Sequence, residues 1–392
     1  MMTEDPYAWY AQMREQGPLV WHEATAAWYA TGYRDVSRLL LDERLGGRNK
    51  EALLAGLPPV PRRVFTGVER HIGRWMIFAD PPYQSRLHAA VAPLFRPAAV
   101  MAMSESFTDR AESLLGGMSQ HGDLVADLAR PFAVGCTGEL LGITADEWPA
   151  MTRHSDDLIA YLTMGSLDLA VAERALATVE ALHRYVVDVV LPRGNGPIAP
   201  ILADRLADGT LDGGDVVAIW VQLLTGGIEP VGTVAAGVVA ELLDGRNAMY
   251  LPQDDDAWVE EALRFHTPFH FAPRCAREAF SYGGCDVRQG DRVVLVLAGA
   301  NRDPSVFAQP DEFRPGRNGR PNLAFSRGPH FCLGAVLARQ QLRALVAVFR
   351  RRHADRWIPD GQYRIRHAFG GSAIEKATVR PAASAAVTTG ER

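Results

Sequence analysis

A single cysteine, Cys332, lies in the run Phe325-Ser-Arg-Gly328-Pro-His330-Phe331-Cys332-Leu333-Gly334, and a helical pattern begins directly after it. Free N–H groups at a helix start favour negative charge, so the N–H groups of Leu333 and Gly334 would stabilise a thiolate there. Taken alone, the same cysteine reads better as a buried structural residue near a helix start. Glu261 and Arg264 stand at i and i+3 of a helical pattern, a spacing that permits a local ion pair worth about 0.2–0.5 kcal/mol. A third group, Gly226-Gly227-Ile228-Glu229-Pro230, places an acid inside the most apolar stretch of the chain. Pro230 has no N–H, so the carbonyl of Gly226 loses its intrahelical donor, and a kink is expected there. By itself such a proline marks a packing kink.

Other constellations fail. Gly227 to Gly232 followed by Thr233 lacks the lysine of a phosphate loop. His266 and His270 are separated by Pro268, with no intervening Glu to make a zinc-protease helix. No Gly-x-Ser-x-Gly elbow occurs. The remaining cysteines, Cys136, Cys275 and Cys285, form no CxxC pair, which argues against a zinc cage or a disulfide framework and for reduced thiols.

The elements that must position these residues are mostly helical. Apolar residues recur at helical spacing over 124–141, 145–162, 167–191, 254–265 and 335–351. Asp5-Pro6 opens a capped helix that ends at Gly17-Pro18, and Asp80-Pro81-Pro82 is expected to start another, with the Asp80 carboxylate accepting from free N–H groups. Strand-like runs are few: 28–31, 271–275, 292–297 and 373–380. The reading is one domain over 1–392, mainly α with a small β portion, and a tail from Pro381 expected to be disordered. With 392 residues, a net charge of −5 and no basic cluster, the chain offers no footprint for nucleic acid or an anionic membrane, leaving a small-molecule partner. The N-terminus does not read as a signal peptide, and Glu229 and Pro230 inside Val216–Ala240 argue for a buried core helix over a membrane span. The expected compartment is the cytoplasm.

The pattern Phe325-x-x-Gly328-x-x-x-Cys332-x-Gly334 resembles the haem-thiolate signature of the cytochrome P450 family. Glu261-x-x-Arg264 resembles that family's Glu-x-x-Arg motif, and Asn301-Arg-Asp-Pro304 with Pro310-Asp-Glu-Phe313 its meander. Asp80-Pro-Pro-x-Gln84-x-Arg86-Leu87 resembles its haem-contacting helix, and Gly226-Gly-Ile-Glu229 its oxygen-activating stretch. The five motifs come in the family's order. The resemblance implies the triangular-prism P450 fold, b-type haem, O2, and electrons from NAD(P)H through ferredoxin and ferredoxin reductase.

It also implies roles. Cys332 is expected as the iron ligand, Gly328 and Gly334 as close backbone approaches to the macrocycle, and Phe325 as a shield over the thiolate. Propionate partners are expected at His88, Arg274 and His330, with Gln84 nearby; His88 reads equally well as a helix-surface histidine. Relatives often have Arg at the place of His88 and His at the place of Gln84. Glu261 and Arg264 are expected to be structural, tied to the meander through Arg314 or Arg317. Gly226, Gly227, Glu229 and Pro230 form the expected catalytic stretch. The family's usual Thr is absent there, which leaves the Gly226 carbonyl free to hold a water or a substrate N–H. The substrate pocket is expected to draw on 64–76 and 161–166, on Gln222, Thr225, Thr267, Phe269 and Phe271, and on Phe369 and the residues following it.

Two haem reactions follow as expectations: oxidation of a small, largely apolar or aromatic molecule, or oxidative C–C or C–N coupling or desaturation, for instance of an aromatic cyclic dipeptide. A haem- or ligand-binding protein with little turnover is the third reading. The acid at Glu229 argues against it.

Overall fold

The computed structural model describes residues 5–47, 54–118, 121–164, 167–250, 254–317, 321–352, 356–368 and 370–382. The core is helical. At its centre lies Gly213–Leu243, a helix whose start is closed by a capping box: Asp212 accepts from the Asp215 N–H, and the Asp215 side chain accepts from the Asp212 N–H. Its most extensive packing is against Arg130–Leu141, with further contacts to Trp148–Thr163 and Ala335–Arg352. Gly227 explains that close approach, since a Cβ there would meet Thr137 Oγ1 at 2.6 Å. The long apolar stretch is therefore a core helix enclosed by protein. Pro230 does not break it; the helix runs without interruption from Gly213 to Leu243.

A five-stranded sheet has the order β1-β2-β8-β5-β3, from Val20–His22, Ala27–Ala30, Arg292–Val296, Phe271–Ala276 and Leu45–Gly46. β2 and β8 run parallel and the other neighbours antiparallel. In β5 the side chains alternate half-buried and buried, which puts Ala272, Arg274 and Ala276 on the enclosed face. Two hairpins, β6–β7 (Phe280–Tyr282, Cys285–Val287) and β10–β11 (Arg364–Ala368, Gly371–Lys376), stand apart from it. A three-stranded sheet joins β4 (Gly122–Asp123), β12 (Thr378–Pro381) and β9 (Trp357–Pro359). This is the mainly α fold with a small β portion that the sequence implies.

Two local expectations are corrected. Asp80 does not cap the helix Tyr83–Val91, which has Pro82 at its N-cap and no side-chain cap. The Asp80 carboxylate instead accepts from the Gly47 N–H at 2.8 Å and pairs with the Arg277 guanidinium at 2.6 Å, a charged donor stronger than a helix N–H. Pro381 belongs to β12, paired with Trp357, and is not part of a tail as expected. Residues 383–392 lie outside the described residues. The cap at Asp5 is present, accepting from the Tyr7 N–H at 2.9 Å, and the helix Pro6–Gln16 ends at Gly17 as read.

Candidate active site

The loop before the helix Ala335–Arg352 is held from both sides. The Cys332 N–H donates to the Phe325 carbonyl at 2.9 Å, closing the loop on itself. Gly328 has φ +72°, and a Cβ there would meet the Leu40 carbonyl oxygen at 2.9 Å, so both conformation and space require glycine. The neighbour that excludes a side chain at Gly328 is thus this chain's own Leu40–Leu41, a different reason from the one expected. Ser326, at φ +62°, is a strained non-glycine in the same loop. Gln84, buried on Tyr83–Val91, donates from Nε2 to the Pro329 carbonyl at 2.9 Å and anchors the loop to that helix.

Cys332 itself is exposed, yet burial is the main influence on its thiol, which it pushes up to about 11; a hydrogen bond from Gly334 and the charge of Arg339 pull the other way. Of the two N–H groups expected at the sulfur, Gly334 alone supplies one. A Cβ on Gly334 would sit 4.0 Å from that sulfur. Phe325 lies under the Arg339 guanidinium, whose carbon is 4.6 Å from the ring centre.

Arg274, on the enclosed face of β5, is 5% exposed and donates to the adjacent Pro273 carbonyl. Burial pulls its guanidinium down to about 10 against the opposing charge of Asp80, so it stays cationic at neutral pH. His330 is pushed down to about 4, first by burial and then by Arg274, and its Nδ1 is buried without a hydrogen-bond partner. His88 is half-buried, with no side-chain hydrogen bond or ion pair among the described residues. A buried cation with little compensation, an unpartnered imidazole nitrogen and a thiol on an exposed residue of the same loop form a donor set that fits an anionic, iron-bearing macrocycle.

The expected structural pair is larger than its i,i+3 spacing suggests. Glu261 and Arg264 are almost fully buried and joined by two hydrogen bonds of 2.7 and 2.8 Å. Glu261 Oε1 also accepts from the Arg317 side chain at 2.8 Å and from the Arg314 backbone N–H at 2.7 Å, so both meander arginines take part. Arg264 donates to the carbonyls of Asn301, Pro310 and Glu312. The Asn301 side chain passes the network on, donating to Thr267 Oγ1 at 2.8 Å and accepting from the Leu323 N–H at 2.7 Å, just before the Cys332 loop.

The residues expected to line the pocket have these partners. Thr267 is buried, with its hydroxyl committed to Leu263, Arg264 and Asn301. Thr225 is buried and its hydroxyl turns back to the carbonyls of Val221 and Gln222. Phe271 packs edge-on to Tyr10 and Tyr29 in an aromatic cluster under the N-terminal helix. Gln222 accepts from the Met76 N–H at 2.7 Å, holding the segment that precedes Tyr83–Val91. Phe269 lines a small cavity with Glu229, Thr233, Pro268 and Gly370. Phe369 lies outside the described residues.

On the central helix, Gln222, Gly226, Glu229, Pro230 and Thr233 fall on one stripe at i, i+4, i+7, i+8 and i+11. Gly226 is exposed and a Cβ there would meet nothing within 4 Å, whereas Gly227 faces the neighbouring helix. Gly227 is therefore a packing residue. Burial pushes the Glu229 carboxyl up, against the charges of Arg130 and Arg366; Arg366, from β10, lies 3.6 Å away. Arg130, Asp156, Thr233 and Arg366, which surround this carboxyl, were not expected. Only Thr233 carried a signal, its i+4 spacing from Glu229.

Comparison with known proteins identifies the family. A cytochrome P450 family model matches residues 255–354, the segment from the Glu261 helix through the Cys332 loop. The vitamin D(3) 25-hydroxylase of Pseudonocardia autotrophica is 30% identical over 361 residues, 88% of this chain and 85% of that protein. The biotin biosynthesis cytochrome P450 of Bacillus subtilis is 25% identical over 96% of both chains. The solved structure of P450BioI with an acyl carrier protein bearing hexadec-9Z-enoic acid superposes at TM-score 0.87, with 23% identity over 97% of this chain and 99% of that one. The fold and these matches define an oxidoreductase of a haem-dependent class. The chain belongs to the cytochrome P450 family.

Proposed function

We propose that this enzyme uses b-type haem, O2 and electrons from NAD(P)H, delivered through ferredoxin and its reductase, to oxidise a small, largely apolar or aromatic molecule of secondary metabolism in the cytoplasm. The observation that carries the reading is the Cys332 loop, with the unpartnered His330 Nδ1 and the buried Arg274 guanidinium that acts on it. Cys332 would hold the iron, and Arg274, His330 and His88 the propionates. Gln84 holds the loop that presents the sulfur. When bound, the haem supplies thiolate-assisted activation of O2. The chain's own residues do the rest: Glu229, its carboxyl pushed up by burial, takes up and gives a proton, the open face at Gly226 admits a small molecule, and Phe269 supplies aromatic surface.

The test is spectroscopic. The reduced carbon monoxide complex should show the red-shifted Soret band of a thiolate-ligated haem, and Cys332→Ser should abolish it. Retention of that band in the variant overturns the ligand assignment. Screening cyclic dipeptides, terpenes and macrolides for a Soret shift then identifies the substrate.

A second reading, oxidative coupling or desaturation without oxygen insertion, is favoured by Pro230. The proline leaves the Gly226 carbonyl without its i+4 donor in an otherwise continuous helix, on the open face of that helix. If this carbonyl holds a water or a substrate N–H, Pro230→Thr returns an N–H to it and lowers product formation. A rise in the fraction of NAD(P)H electrons recovered in product, with less peroxide, decides instead for ordinary hydroxylation.

A further inference from the structure

Asp215, in the first turn of the central helix, is fully buried, and its carboxylate holds more partners than a helix cap requires. Oδ1 accepts from the Tyr83 hydroxyl at 2.5 Å and from Arg74 Nη1 at 3.0 Å. Oδ2 accepts from Arg86 Nη2 and from the Asp212 N–H, both at 3.2 Å. The capping box accounts for the last of these alone. A carboxylate out of water must have its charge met and its lone pairs filled, and the two guanidiniums with the hydroxyl do both. Gly214 makes room for them, since a Cβ there would meet Arg74 Nη1 at 2.7 Å. The Arg86 guanidinium carbon also lies 5.2 Å from the centre of the Tyr83 ring, a second contact on the same side chain. Burial first, and then the Asp215 carboxylate, push the Tyr83 hydroxyl up, so it keeps its proton and donates.

Tyr83 and Gln84 are consecutive on the helix Tyr83–Val91, about 100° apart around its axis, and so face different neighbours. Tyr83 reaches the central helix, while Gln84 reaches the Pro329 carbonyl, three residues ahead of Cys332. The first turn of that helix is pinned from two sides. The bond from the Cys332 N–H to Phe325 is internal to the loop and cannot set the loop's place against the helices. Contacts from Gln84 to Pro329 and from Arg327 to Ser37 can, and the Gln84 contact leads back through Tyr83 to Asp215. We propose that Asp215 is a positioning residue for the Cys332 sulfur: by fixing Tyr83 it fixes where Gln84 holds Pro329, and thereby where the loop presents the thiol. The inference rests on the haem-thiolate reading above. Asp215 touches neither the sulfur nor the reacting molecule, so its effect must pass through Gln84.

The holoenzyme supplies the test through the spectrum of its reduced carbon monoxide complex, followed over time at one temperature. Asp215→Asn keeps the shape of the side chain and removes its charge, and should speed the loss of the thiolate band several-fold. Gln84→Met, which keeps the length and removes the donor, should speed it as well. Because the path runs through Gln84, adding Asp215→Asn to Gln84→Met should change the rate no further, whereas a general weakening of the fold would multiply the two effects. Tyr83→Phe removes one hydroxyl and leaves both guanidiniums on Asp215; it should give a smaller acceleration that also vanishes in the Gln84→Met background, and it carries the test if Asp215→Asn does not fold. Rates that multiply in the double variants, or a parental rate in any of the single variants, overturn the positioning role. A parent enzyme whose reduced complex never shows the thiolate band overturns the haem-thiolate reading instead.

Discussion

Single side chains in this protein are set by burial more than by sequence neighbours. His270 is fully buried, its Nδ1 bonded to the Tyr10 hydroxyl at 2.8 Å and its Nε2 unpartnered, and burial pushes the imidazole down to about 3. The folded chain therefore binds fewer protons than the unfolded chain between the ordinary histidine value of about 6.5 and about 3. Stability should fall as pH drops through that window, by about 5 kcal/mol at its lower end from this group alone. His270→Gln should flatten the acid limb of stability against pH, measured by denaturant unfolding at a series of pH values; an unchanged limb would mean that another group sets the acid sensitivity. His266 shows the contrast of a half-buried histidine with a partner, meeting Glu241 at 3.1 Å. The exposed thiol of Cys332 follows the same rule, since the surrounding protein, and not its accessibility, raises it.

At the scale of elements, the helix Asp255–Phe265 is fastened to the meander by one carboxylate. Glu261 accepts from Arg264, Arg317 and the Arg314 backbone, and Asn301 extends the contact to Leu323 ahead of the Cys332 loop. Removing the carboxylate leaves two arginines buried without a counter-charge, a loss of about 3–5 kcal/mol. Glu261→Ala should accordingly lower the thermal midpoint by calorimetry and speed haem loss to apomyoglobin, because the loop presenting the sulfur is anchored through this network. Glu261→Gln should recover part of the stability by keeping one acceptor. A Glu261→Ala protein with parental haem retention would show that the loop is held independently. The central helix is governed differently. Its capping box fixes one end, Gly227 sets its approach to Arg130–Leu141, and Pro230 leaves a carbonyl free without ending the helix.

For the molecule as a whole, the residues proposed to serve the haem come from parts far apart in the chain: Gln84 and His88 from one helix, Gly226 and Glu229 from the central helix, Arg274 from the five-stranded sheet, and Cys332 from the last loop. A ligand that they hold together binds the folded chain alone and stabilises it by mass action, by about 4 kcal/mol at a thousand-fold excess over Kd. Stripping haem from the protein should lower its thermal midpoint and make the restored midpoint rise with added haem, followed by circular dichroism. A midpoint indifferent to haem would remove these residues as its binding site. The Arg274 guanidinium, buried without a close carboxylate, is the group whose environment that binding relieves most.

The sequence by itself determined what is local. The helix cap at Asp5, the glycine-flanked thiol, the Glu261–Arg264 spacing and the apolar central helix all depend on residues within a few positions of one another, where backbone geometry fixes the neighbours. Order and spacing of those motifs sufficed to place the chain in its family. Tertiary structure alone decided what long-range contact controls. Asp80 looked like a cap but is drawn to Arg277 and the Gly47 N–H, and Thr267 looked like a pocket residue but serves Asn301. Phe271 is turned toward Tyr10 by the alternation of β5, and Arg366 reaches Glu229 only because the β10–β11 hairpin packs on the central helix. A side chain's partner across the fold is chosen by which face of a strand or helix is enclosed and by what stands opposite, and neither is written in the spacing of its own segment.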